Sequence, residues 1–570
     1  MRARRSAGGL TVQAIAGTHT VLLGLNLADP AGCLGFGIRR IDHTEGETTW
    51  LRGMKTFAAA VADPPPGSDY STREHPIQDF QWGDYSAKPN HDYSYEVSAM
   101  GGAPGALHPL ATSTVRVRTE APDDGTHGVW FNRGVAGSQA FRRRFPDFVP
   151  GADLPDTHPA MVWLSRGLGE AFVAYCAEAL GAGWGLRGAF YEFTWGAGLT
   201  ALADAHARGA DVQLVVHGRD RDPAGGGGGD DEDGDRTAEQ SHAAATAHGL
   251  DGVIQWRTAP NKGALHHHKF LVLTHQGRPV AVWTGSTNLT RGGVFGHSNV
   301  GHLIRDRSVA QSYLDEWQQL ADGVPTTRLR VVHEQAPPAQ VVPAGEGITA
   351  VFSPRGTTST LLDWYAGLFD GGASSAHITG AFGLHQVFRD KLAVVRPLVR
   401  TVLLEKVPPR NQAIPRVDEN VRISTGSHLA SGRLEQWAQE HLTGFNGHVK
   451  YIHTKIIMVD PLTDDPTLIT GSANYSGAST TTNEENTVVI RAGRTRATSR
   501  RAVRRLADIY LTEYHRLFTH FTFRAMSQGV ALNEGQHRPM GHLDPTDGWT
   551  ARYYAPGSWR ERQRKLFSAT

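Results

Sequence analysis

The chain has 570 residues, more than one ordinary hydrophobic core accommodates, so two or three domains are expected. Its 57 basic and 56 acidic residues leave a net charge of +1, which excludes a whole-molecule field that recruits nucleic acid or an anionic membrane and confines any basic binding surface to a local patch. Hydrophobic residues make up 39%, as in water-soluble globular proteins, and no apolar run approaches the roughly 18 residues of a membrane-spanning helix.

The basic start MRARRS is followed by polar Thr11, Gln13, Thr18, His19 and Thr20, which interrupt any signal-peptide core, so a cytoplasmic protein is expected. Cys33 and Cys176, the two cysteines, are too few for a disulfide framework and are expected as buried apolar fillers. From residue 10 to about 150 the sequence is a series of short β-like segments punctuated by Gly, Pro, Asn and Asp. Tyr93, Tyr95 and Val97, then Val115, Val117 and Thr119, alternate with polar neighbours. This spacing predicts an antiparallel β-sandwich of the immunoglobulin or fibronectin type over residues 1–155, with no catalytic cluster of its own.

Helical spacing of Leu168, Ala171, Phe172, Tyr175 and Ala179 opens an α/β region, followed by a strand at Ala189–Thr194, a helix at Leu199–Ala207 and a strand at Val212–Val216. The same series returns as a helix at Thr360–Phe369, a strand at His377–Phe382, a helix at Gln386–Val395 and a strand at Thr401–Val407. Two repeats are therefore expected, over residues 156–335 and 336–570. Between Val216 and the histidine triplet at 266–268, five glycines precede the acidic run Asp230, Asp231, Glu232, Asp233 and Asp235, which reads as a solvated loop.

Each repeat carries the same motif after this series. His453, Lys455 and Asp460 form H-x-K-x-x-x-x-D, and Gly471, Ser472 and Asn474 follow as G-S-x-N on the far side of a predicted hairpin. His267, Lys269, Gly285, Ser286 and Asn288 align with them without a gap from histidine to asparagine, which selects His267 from the triplet His266, His267 and His268. Residues i and i+2 of a strand share a face, so each imidazole lies beside an ammonium, a pairing suited to gripping a phosphate and attacking or protonating it.

This duplicated motif resembles that of the phospholipase D superfamily. The resemblance implies an α/β fold in which two phospholipase D-like repeats form a pseudo-twofold pair, here preceded by the antiparallel β-sandwich. It implies a metal-independent phosphodiesterase without cofactor, acting on a phospholipid or nucleic acid through a phosphohistidine. His267 is then the nucleophile and His453 the acid and base. Lys269, Lys455, Asn288 and Asn474 hold the nonbridging oxygens, assisted by Ser286 and Ser472.

The two copies differ. Seven residues from His453 stands Asp460, but seven from His267 stands Thr274; eleven from Asn474 stands Glu485, but eleven from Asn288 stands Asn299. In the family an acid near that last place orients a catalytic imidazole, and Glu485, like Asp460, is expected to serve His453. Tyrosyl-DNA phosphodiesterases of the family share such an asymmetry, which keeps a nuclease or protein-DNA adduct phosphodiesterase open as the specific activity. A degenerate phosphodiester-binding protein is the other alternative. No metal is expected; His266 and His268 share a strand face, but no third ligand accompanies them. Arg491, Arg494, Arg496, Arg500, Arg501, Arg504 and Arg505 form a basic strip that is a candidate polyanion contact.

Overall fold

The computed structural model describes residues 1–65, 68–134, 141, 144–149, 153–219, 237–258, 264–336, 347–414, 419–426, 452–492, 497–527 and 542–570. The acidic run at 230–235 lies outside them.

Alternation of apolar and polar residues produces two four-stranded antiparallel sheets at the N-terminus. One contains Arg2–Ala7, Leu10–Ala16, Val21–Leu27 and Gln81–Asp84; the other contains Ala106–Arg118, Asp92–Ala103, Gly35–Asp42 and Glu47–Trp50. Their inner faces share a core in which Val12, Leu23 and Leu25 meet Ile38, Tyr95, Val97 and Val115. Three consecutive strands stay neighbours in the first sheet, whereas an immunoglobulin arrangement changes sheet after its second strand. The strand His127–Phe131, expected within the N-terminal domain, instead pairs with Val300–Ile304 and closes one edge of the next sheet.

That sheet has seven strands in the order His127–Phe131, Val300–Ile304, Arg278–Gly285, Lys269–His275, Trp184–Phe190, Asp211–His217 and Ile254–Arg257. A second seven-stranded sheet repeats it place for place: Gly347–Ser353, Glu485–Arg491, Thr467–Gly471, Ile456–Val459, Ser375–Gly380, Val399–Leu404 and Arg422–Thr425. In each, three parallel strands connected through helices adjoin an antiparallel hairpin that carries the motif. The expected helices occur at Leu168–Ala177, Gly196–Ala207, Thr360–Asp370 and Gln386–Ala393. The strands expected at Ala189–Thr194 and His377–Phe382 end earlier, at Phe190 and Gly380, so the residues beyond them are loop.

The halves touch through their main chains at the motif. His266 bridges Glu484 and Ile452 bridges Ser298, so each segment leading into a motif histidine lies against the last strand of the other half. The 31-residue helix Ala497–Ser527 then ties the whole together. Its Tyr510 accepts or donates at His302 in the first half, its Tyr514 donates to Ile378 O in the second, and its Glu513 meets Thr20 of the sandwich and Arg166. Trp549 and Tyr553, near the C-terminus, complete the sandwich core.

Candidate functional site

Both motif glycines end a strand with positive φ, +138° at Gly285 and +158° at Gly471. A Cβ at either would sit 2.2 Å from a carbonyl oxygen, Val300 O or Asn486 O, so only glycine lets the loop come this close to the neighbouring strand. The serine that follows secures the same junction. Ser286 donates to Asn299 Oδ1 at 2.8 Å and accepts from Val300 N at 3.1 Å, while Ser472 accepts from Asn486 N at 3.0 Å. Both serines therefore brace the loops, which corrects the expectation that they assist at the phosphate.

The two imidazoles are held across the interface. His267 Nδ1 donates to Glu485 Oε2 at 2.8 Å, and His453 Nδ1 donates to Asn299 Oδ1 at 2.9 Å. Each motif histidine thus takes its partner from the opposite half, and Glu485 serves His267 where it was expected to serve His453. The reason is topological: the strand carrying residues 484–485 runs along the segment leading into His267, with His267 N donating to Glu484 O at 2.9 Å. Asn299 cannot turn its amide around, because its Nδ2 donates to Gly293 O at 2.8 Å. Both rings are therefore fixed with the proton on Nδ1 and with Nε2 as the reactive nitrogen.

The lysines repeat the symmetry. Lys269 Nζ donates to His267 O at 3.0 Å and Lys455 Nζ to His453 O at 2.6 Å, and all four groups are buried. Burial pushes His267 down to about 4, with Glu485 opposing and Lys269 adding to the effect. Burial, then Lys455 and His297, holds His453 well below the usual imidazole value, so both rings are neutral at pH 7 before an anion arrives. Burial lowers Lys269 to about 8 against the pull of Glu485 and Glu192, and holds Lys455 well below the usual ammonium value, with Lys269 adding to the effect. Burial would raise Glu485, but His267 and Lys269 keep its carboxyl below the usual range.

Asp460 is remote from this chemistry. It sits at the opposite end of the Ile456–Val459 strand with φ +49° and accepts from the amides of Ala373, Ser374 and Ser375 at 2.7, 2.6 and 2.9 Å. The motif aspartate is a cap on the loop before Ser375–Gly380, so Thr274 in its place costs the first half no site residue. The flanking histidines of the triplet are likewise committed to structure. His266 binds Glu484 at 2.9 Å, and His268 faces Asn486 Oδ1 at 3.3 Å and Glu316 at 3.4 Å.

Several residues at the site carry no motif. Tyr191 lies with its ring 4.9 Å from that of His267 and 5.4 Å from Lys269 Nζ, and the His297 ring is 4.6 Å from that of His453. Glu192 accepts from Asn288 Nδ2. His217 Nδ1 accepts from His266 N at 3.3 Å, and Glu405 accepts from Ile452 N at 2.6 Å, two different side chains at matching places in the two sheets. For Tyr191, Glu192, His217 and Glu405 the one sequence signal is position, at or just past the end of a parallel strand, where α/β sheets collect functional groups. Behind His267, Arg257 makes two 2.7 Å bonds to Glu484, which also binds Thr326.

Of the basic strip, Arg494 and Arg496 lie outside the described residues. Arg491 pairs with Asp465, Arg504 with Asp464, and Arg505 with Glu120 and Asp124. Arg500 and Arg501 stand on the first turns of the long helix. No helix among the described residues is long and apolar enough to cross a membrane.

No curated protein matches the chain in sequence. Among solved structures, it is similar to phosphatidylserine synthase from Haemophilus influenzae (11% identity, 62% of this chain and 85% of that one, TM-score 0.42). It is also similar to the yeast tyrosyl-DNA phosphodiesterase (14%, 55% and 84%, TM-score 0.30). A third similarity is to polyphosphate kinase from Porphyromonas gingivalis (13%, 61% of this chain, TM-score 0.35), of whose length the chain spans 48%. The family model described as "Cardiolipin synthase, PLD-like domain" matches residues 182–321 and 409–506. Each matched segment contains one copy of the H-x-K and G-S-x-N motif, so both repeats of the chain are similar to the phospholipase D-like domain that this family model describes.

Proposed function

We propose that the chain is a metal-independent phosphodiesterase that works through a covalent phosphohistidine on His267, with His453 as general acid and then general base. The observation that carries this reading is the crossed pair of histidine partners, one charged and one neutral. A carboxylate on Nδ1 strengthens Nε2 as a nucleophile and stabilises the ring once it bears phosphorus and a positive charge, which suits His267 to attack. An amide on Nδ1 fixes the tautomer without adding charge, which suits His453 to exchange a proton.

In the first step His267 Nε2 forms a bond to phosphorus, the bond to the leaving oxygen breaks, and that oxygen takes the proton from His453 Nε2. The protonated ring this requires comes from proton uptake with the substrate, since an incoming anion offsets the burial and lysine charges that keep His453 neutral. In the second step neutral His453 accepts a proton from water, whose oxygen binds phosphorus as the bond to His267 breaks. Lys269, Lys455, Asn288 and Asn474 surround the five-coordinate phosphorus with donors.

The test is hydrolysis of bis(p-nitrophenyl) phosphate in EDTA. Turnover is expected to persist in the wild type and to fall by about 10³-fold or more in His267→Ala and His453→Ala. A base-stable phosphoryl label should accumulate in His453→Ala and be absent from His267→Ala. Turnover retained by His267→Ala would sink the nucleophile assignment. A panel of a phospholipid, a plain oligonucleotide and an oligonucleotide with a 3′-phosphotyrosyl end then resolves the substrate class.

A further inference from the structure

The first half of the site contains an acid, Glu192, that has no acidic counterpart in the second. Strand Trp184–Phe190 ends with Phe190 opposite Lys269, and the chain then runs beside the first asparagine loop, where Phe193 bridges Leu289 and Thr194 N donates to Leu289 O at 2.7 Å. That course carries the Glu192 carboxylate onto the amide of Asn288. Phe190 pairs with Val216 as Gly380 pairs with Leu404, so the matching position in the second half is Phe382, an apolar side chain that is 65% exposed. The second asparagine loop thus has no acid in the corresponding place.

A carboxylate is an unexpected neighbour for a phosphate-gripping amide, since it competes with the substrate for the same donors. Its field reaches both lysines, where it opposes the loss of their protons on burial; Glu485 does the same for both, and Glu405 for Lys455. Two ammonium groups in a buried setting repel each other and need a counter-charge to remain protonated. At Asn288 the acid occupies the amide nitrogen, while the buried Oδ1 has no hydrogen-bond partner among the described residues. Among the described residues the amide is therefore aimed by Glu192 alone.

We propose that Glu192 is a positioning residue that stands in for the phosphodiester, holding Asn288 and balancing Lys269 and Lys455 until a phosphate oxygen displaces it. This rests on the reading of the site as a phosphodiester centre. The acid then weakens ground-state binding of phosphate while keeping the donors oriented, so its charge and its hydrogen bond have separable effects.

The experiment is calorimetric titration of the full chain with inorganic phosphate, alongside turnover of bis(p-nitrophenyl) phosphate. Glu192→Gln keeps an acceptor for Asn288 and removes the charge. Its Kd for phosphate is expected to fall about tenfold and its kcat to stay above that of Glu192→Ala, because Asn288 keeps its acceptor. Glu192→Ala, which needs no new contact to fold, should also bind phosphate more tightly but lose about tenfold in kcat, because Asn288 is no longer held. If Lys269→Ala and Lys455→Ala weaken phosphate binding while both Glu192 variants leave Kd unchanged, the Glu192 proposal is overturned and the phosphodiester reading stands. If the lysine variants do not alter phosphate binding either, the phosphodiester reading itself fails. Equal kcat in the Gln and Ala variants would remove the positioning role.

Discussion

The two halves of the site have nearly the same main chain and different surroundings. In both, a glycine with positive φ lets the loop approach, a lysine reaches back to the carbonyl of the motif histidine, and a residue from the other half holds the ring at Nδ1. Around His267 the holder is the charged Glu485, next to a Glu484 that Arg257 and Thr326 bind; around His453 it is the neutral Asn299, itself held by Ser286 and Gly293. A duplicated backbone thus fixes where the two imidazoles stand, and the side chains behind them decide what each can do.

The largest effect is expected from making the halves alike. Glu485→Gln leaves His267 with a neutral acceptor and should reduce kcat by about 10³-fold with little change in melting temperature. A loss below tenfold would mean that the charge on Glu485 does not distinguish the rings. Next, Arg257→Met leaves Glu484 charged and buried without its guanidinium, and should cost about 3 kcal/mol of stability in a urea titration. The corresponding place in the other half is Ser298, where no such buried pair exists among the described residues, so Ser298→Ala should change stability by less than about 1 kcal/mol.

The third contrast is Asp460 with Thr274. Asp460→Ala removes an acceptor from three amides at a residue with φ +49°, and about 2 kcal/mol should be lost with kcat within twofold of the wild type. A collapse of kcat in a folded variant would return Asp460 to the chemistry. The smallest effect is a shift in pH dependence. Asn299→Asp places a negative charge beside His453, which favours its protonated form and raises its pKa, so the alkaline limb of kcat against pH should move upward by about one unit. Glu485→Gln removes a charge that raises His267, so the acidic limb of kcat/KM should move to lower pH.

What the sequence disclosed follows from how local the signal is. The sandwich strands and the motif hairpins are legible because alternation and turn residues act over a few positions, and the gapless alignment of His267 to Asn288 with His453 to Asn474 identifies the repeat. Glu485 and Asn299 are visible as an asymmetric pair, but spacing along one chain cannot say that each serves the other copy. That depends on Glu484–Glu485 and Ser298–Asn299 crossing between sheets. Asp460 misleads for the opposite reason: it is near His453 in sequence, yet an extended strand advances about 3.3 Å per residue and carries it away from the ring. Glu192 escapes because its meaning lies in meeting Asn288, 96 positions along the chain. The arginine strip reads as one basic patch until Asp464, Asp465, Glu120 and Asp124 are seen to pair with it.

The crossed partners also bear on inheritance. In a dimer of identical single-motif chains, a change from acid to amide at the position of Glu485 or Asn299 would strike both sites at once. One covalent chain allows each copy to change alone, so division of labour between the rings is a property that only the joined gene can hold. The same crossing constrains recombination: a junction between the two repeats hands a daughter chain His267 from one parent and Glu485 from the other. Neither repeat is therefore a transferable module, and chimeras joined there should work only when the parents carry the same residues at both crossed positions.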